Sequence, residues 1–148
     1  MKTLTILLGL ILSFNCFAQD ESHVKWKFNV SPAENNGEVE LQFVAEIEEG
    51  WHMYSQVLPS DEGPLPTIFT YEASDNYKLI GKVEEENVHS VMDPAFGVQV
   101  NYLDGESVFR QTIKTEGNTT VDGTVSFMLC NDEMCLPPTD VKFHFDVK

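Results

Sequence analysis

Val24-Lys25-Trp26-Lys27-Phe28-Asn29-Val30, and after a break rich in Pro, Asn and Gly the run Glu38-Val39-Glu40-Leu41-Gln42-Phe43-Val44-Ala45-Glu46-Ile47, decide the fold class of this chain. In both runs apolar residues fall on every second position, a period that turns one face of an extended chain inward and the other to water. Only Val44 interrupts the polar side. The alternation returns near the other end as Val125, Phe127 and Leu129, and again as Val141, Phe143, Phe145 and Val147. Between these lie further short strands, Trp51–Val57, Thr67–Tyr71, Tyr77–Val83, Val98–Leu103 and Glu106–Lys114, with loops over Pro59–Pro66 and Val88–Gly97. Asp104-Gly105 tolerates the positive φ of a type I′ turn and predicts a hairpin between the strands that flank it. No helical periodicity of useful length occurs. About nine short strands without helices predict an all-β fold, an immunoglobulin-like antiparallel β-sandwich.

The first residues indicate the compartment. Lys2, the apolar run Leu4–Leu12 and the small-residue end at Cys16-Phe17-Ala18 have the layout of a secretory signal peptide over residues 1–18. Cleavage after Ala18 would discard Cys16 and leave residues 19–148 as one exported domain with two cysteines, in a disulfide-permissive environment. The apolar run is short for a membrane span and none follows it, so no stable membrane insertion is expected. Nine Lys and Arg stand against 24 Asp and Glu, a net charge of −15. That balance argues against nucleic acid and anionic membrane as partners, because both need cations to displace counterions.

The chemistry concentrates in Cys130-Asn131-Asp132-Glu133-Met134-Cys135-Leu136-Pro137-Pro138. A disulfide closing so small a ring contributes only about 2 kcal/mol by loop-closure entropy, and a bridge placed for stability does better across a long loop. Pro137 and Pro138 stiffen the exit and donate no N–H, which keeps one thiol near an open edge. Two readings fit: a redox-active pair, or a staple shaping one loop of a noncatalytic immunoglobulin-like binding or adaptor module. Asp132 and Glu133 lie between the thiols and should raise their pKa, making the reduced pair a slow nucleophile at neutral pH. His23, His52, His89 and His144 are scattered, and two cysteines leave a zinc site short of ligands, so neither metal nor cofactor is expected. No nucleophile-elbow serine and no Gly-rich phosphate loop is present. Thiol exchange is the one chemistry with a foothold.

These residues resemble a known family. The cysteine loop, entered from one strand and left by an alternating terminal strand, is similar to the active-site loop of the N-terminal periplasmic domain of the thiol:disulfide interchange protein DsbD. Gly50-Trp51-His52-Met53-Tyr54 resembles that family's aromatic strand after a glycine, and Asp93-Pro94-Ala95-Phe96-Gly97 its cap loop over the cysteines. Family members carry one more residue between the cysteines, and the cap aromatic is displaced by one position in an ungapped alignment. The resemblance implies an immunoglobulin-like periplasmic domain that takes reducing equivalents from a thioredoxin-like domain or membrane thiol reductase and passes them to exported thiol proteins. It further implies that Cys135 forms the mixed disulfide with partners and that Cys130 resolves it. Asp93, Phe96, Gly97, His52 and Tyr54 would then surround the pair, with Phe96 as its cover.

Overall fold

The computed structural model describes residues 22–32 and 37–148; residues 1–18, read as a signal peptide, lie outside the described residues. The alternating runs become strands β1 (Val24–Pro32), β2 (Glu38–Ile47), β3 (His52–Tyr54), β4 (Ile68–Tyr71), β5 (Tyr77–Glu85) and β6 (His89–Asp93). They continue as β7 (Val98–Leu103), β8 (Glu106–Thr115), β9 (Thr119–Phe127), β10 (Leu129–Cys130) and β11 (Thr139–Val147). Every pairing is antiparallel. Among the described residues no helix is long and apolar enough to cross a membrane.

The sandwich forms because two sheets bury their apolar faces against each other. One sheet has the order β1-β2-β8-β5, a second β11-β9-β4, and a third β10-β3-β7-β6. Phe43 of β2 lies at the centre, its ring 4.8 to 5.9 Å from those of Phe28, Phe69, Phe143 and Phe145. Edge-on aromatic contacts of this kind each add about 0.5 to 1.5 kcal/mol beyond the area they bury. Phe143 and Phe145 belong to β11 and Phe69 to β4, so the layer joins the first sheet to the second. The second sheet needs a residue without a side chain at Gly123. A Cβ there would stand 2.2 Å from the Thr70 carbonyl oxygen of β4 and 2.4 Å from the Phe143 ring.

Three expectations are corrected by the structure. Asp104-Gly105 makes no hairpin: β7 pairs with β3 and β6, whereas β8 pairs with β2 and β5, and the chain crosses between sheets at this point. The Gly105 carbonyl accepts the Ile47 N–H at 2.9 Å, so the turn is stitched to β2. Turn chemistry, including the φ of +58° at Gly105, fixes where a chain bends and not which neighbour it meets next. Val88–Gly97 is only partly loop, because His89–Asp93 pairs with β7 as an edge strand whose mostly exposed residues, with Val91 and Met92 adjacent, show no period of two. Trp51–Val57 narrows to the three residues of β3.

The cysteine loop leaves the second sheet and returns to it. β9 ends at Phe127, and after Met128 the chain joins the third sheet as β10, its edge strand, with Leu129 opposite Met53 and Cys130 opposite His52. It returns as β11, where Thr139 lies opposite Phe127. The loop thus bridges two antiparallel strands.

Candidate functional site

Cys130 and Cys135 are disulfide-bonded, with Cα atoms 4.0 Å apart. They form an antiparallel bridge between two hydrogen bonds, Leu136 N–H to the Leu129 carbonyl at 2.8 Å and Asn131 N–H to the Met134 carbonyl at 2.9 Å. That makes them a non-hydrogen-bonded pair, the position in an antiparallel ladder where opposed side chains come closest. The intervening turn is held by the Asn131 side chain, whose Oδ1 accepts the N–H groups of Glu133 and Met134 at 2.9 and 2.8 Å. The two sulfurs differ in surroundings. Cys130 is 2% exposed, packed with Tyr54, Val100 and Met128 and flanked by Leu58, Val98 and Tyr102, whereas Cys135 is exposed.

Asp93, at the end of β6, ties the neighbouring loop to this cluster. Its carboxylate is buried and accepts the Tyr54 hydroxyl at 2.9 Å through Oδ2, while Oδ1 accepts the Ala95 and Phe96 N–H groups at 2.8 and 3.3 Å. Gly97 donates its N–H to the Asp93 carbonyl at 2.8 Å and adopts φ +70°, a left-handed conformation that glycine takes without a Cβ penalty. The turn brings the Phe96 ring edge-on to Tyr54, centroids 6.1 Å apart. Burial and the Asp93 carboxylate together push the Tyr54 hydroxyl well above the ordinary tyrosine range, so it stays a protonated donor. His52, half-buried, stands edge-on to Tyr54 and Tyr102 at 5.3 and 5.2 Å, with Nε2 3.4 Å from the Tyr54 hydroxyl. Burial lowers its pKa, against the opposing pull of Asp93, Asp132 and Asp104.

Of the residues expected around the thiols, Asp93, Phe96 and His52 each contact Tyr54, which packs with Cys130, and Gly97 joins them only through its hydrogen bond to the Asp93 carbonyl. Val100, Tyr102 and Met128 complete the cluster and were missed, because a strand's alternation shows that a residue is inward and not what lies opposite. Among the described residues no group of three His, Cys, Asp or Glu side chains is arranged to hold a metal.

The family profile described as "Thiol:disulfide interchange protein DsbD, N-terminal" matches residues 19–146. The chain belongs to the DsbD N-terminal domain family. Three solved structures share the fold of this DsbD N-terminal family member. The reduced DsbD N-terminal domain of Neisseria meningitidis is 17% identical over 86% of this chain and 87% of that one, with a TM-score of 0.58. The N-terminal periplasmic domain of ScsB from Proteus mirabilis is 17% identical with a TM-score of 0.63, over 86% of this chain and 48% of that one. A complex between the DsbD and PilB N-terminal domains of Neisseria meningitidis contains a chain 15% identical over 88% of each, with a TM-score of 0.55. No match was found among curated proteins. The immunoglobulin-like sandwich and the disulfide are those expected of a DsbD N-terminal domain.

Proposed function

We propose that this chain is an exported thiol–disulfide exchange domain that works through Cys130 and Cys135, with Cys135 as the sulfur that partners attack and Cys130 as the resolving thiol. One observation carries this assignment: Cys135 is exposed while Cys130 is 2% exposed. In-line attack on a disulfide needs an open path to one sulfur, and the sulfur that leaves as thiolate can stay covered. A thioredoxin-like domain or a membrane thiol reductase would supply electrons, and exported thiol proteins would receive them. A relative whose structure is known in complex with the PilB N-terminal domain supports docking of a second domain, and another is a periplasmic domain, which supports export of this chain behind a cleaved leader of residues 1–18. Phe96, held edge-on to Tyr54 by the Asp93 turn, serves as the cover that a cognate partner displaces.

The test is trapping. With Cys130→Ala a mixed disulfide should accumulate at Cys135, and with Cys135→Ala none should. The opposite pattern reverses the two roles. No adduct with either variant, together with a reduction potential below about −300 mV, would establish a structural staple in a binding module instead.

A further inference from the structure

Cys130 and His52 are direct partners in the β10–β3 ladder, and directly opposed residues of an antiparallel pair project from one face with Cβ atoms about 5 Å apart. Cys135 is opposite Cys130 in turn, so Cys135, Cys130 and His52 stand in one row across the sheet edge. Resting on the exchange reading above, we propose that His52 is the base that takes the proton from the Cys130 thiol and frees it to resolve the mixed disulfide at Cys135. The Cys130 S–H proton passes to the imidazole, and the thiolate attacks Cys135 Sγ. A Cys130–Cys135 bond forms, the bond from Cys135 to the partner sulfur breaks, and its electron pair leaves on that sulfur as thiolate. The domain is oxidised and the partner reduced. In the reverse direction His52 returns the proton to the departing Cys130 sulfur.

The hydrogen bonds around the ring set it up for this role. Tyr54 spends its proton on Asp93 Oδ2 at 2.9 Å, so its oxygen faces His52 as an acceptor. At 3.4 Å, the long end of hydrogen-bonding distance, Nε2 is then the nitrogen that carries the hydrogen, and Nδ1 is left with a free lone pair. The groups that face the ring are Tyr54 of its own strand, Tyr102 of β7, Cys130 of β10, Asp93 at the end of β6, Asp104 after β7 and Asp132 of the cysteine loop. Half-burial keeps the resting imidazole neutral at pH 7, as a base must be, and the three carboxylates favour the imidazolium once it forms.

The reduced protein is mixed with oxidised glutathione, quenched in acid at intervals, and the Cys135–glutathione adduct and the closed disulfide are counted by mass spectrometry across pH 5.5 to 9.5. In His52→Phe and in His52→Gln the conversion of adduct to disulfide is expected to slow by about 10- to 100-fold near pH 7, the scale of one positioned acid–base group. The deficit should shrink toward pH 9, where the thiol ionises unaided. In the unsubstituted protein the same rate should fall below the pH at which NMR shows the His52 ring to titrate, a readout that needs no variant. Wild-type conversion rates and pH profile in both variants, or a wild-type profile with an inflection only in the thiol range, overturn the role of His52 and leave the exchange reading standing. Formation of neither the glutathione adduct nor the closed disulfide in the wild-type protein overturns both.

Discussion

At the scale of single residues, Phe96 bears on access to the disulfide and two histidines on how stability changes with pH. Phe96 is 37% exposed and meets Tyr54 edge-on, so it is not part of the core. Phe96→Ala should speed reaction of the disulfide with dithiothreitol several-fold and cost about 1 kcal/mol in urea unfolding, well under the roughly 3 to 5 kcal/mol of a buried ring. A loss of that larger size with an unchanged rate would make Phe96 a packing residue. The histidines act on stability in opposite directions. His52 has a folded pKa pushed down, chiefly by burial, so the unfolded chain takes up the proton first and stability falls as pH drops below about 6.5. His144 is pushed up, chiefly by its hydrogen bond from Nδ1 to Asp122, with Asp146 adding to it. Its contribution is present at low pH and is lost as pH rises through the folded value. Between pH 7.5 and 5.5, urea midpoints should therefore fall less in His52→Gln than in wild type and more in His144→Gln, the latter weakly because solvent screens an exposed pair.

At the scale of elements, β9 is the strand on which the site hangs, since it pairs with both β4 and β11 and continues through Met128 into β10. Gly123 sits where both neighbours approach. A methyl there would meet a backbone carbonyl, which cannot rotate away as a side chain can. Gly123→Ala should cost about 1 to 3 kcal/mol by overpacking, seen as a lower unfolding midpoint, and hydrogen exchange should quicken in β4 and β11 together. A neutral substitution would show that β4 is free to shift. The alternation of β2 and β11 can be read from the chain because each buries an apolar face, whereas β8 hides it by burying the polar Ser107 and Gln111 along with Phe109 and Ile113. β6 cannot be read either, because an edge strand with one buried residue, Asp93, leaves no period to read.

At the scale of the whole molecule, stability comes from the aromatic layer between the sheets and not from the disulfide. Closing a ring of this size is worth about 2 kcal/mol, so dithiothreitol should lower Tm by roughly 5 to 10 °C and leave the far-UV circular dichroism unchanged. Collapse of the β signal on reduction would instead make the bridge a structural necessity. The acidic charge, −15 over the chain, favours cationic partner surfaces that offset the field.

From the sequence by itself came the all-β class, the inward faces of the long strands and the cysteine loop as the one reactive feature, because each rests on local periodicity or on the chemistry of a short run. Which strands neighbour which was decided only by the tertiary structure: Asp104-Gly105 bends the chain as its residues demand, yet β7 and β8 part to different sheets, since pairing follows the burial of whole faces. The same holds at the thiols. That Cys130 is covered and Cys135 open, and that His52 stands opposite Cys130, follow from a register between residues 78 positions apart, which no local pattern encodes.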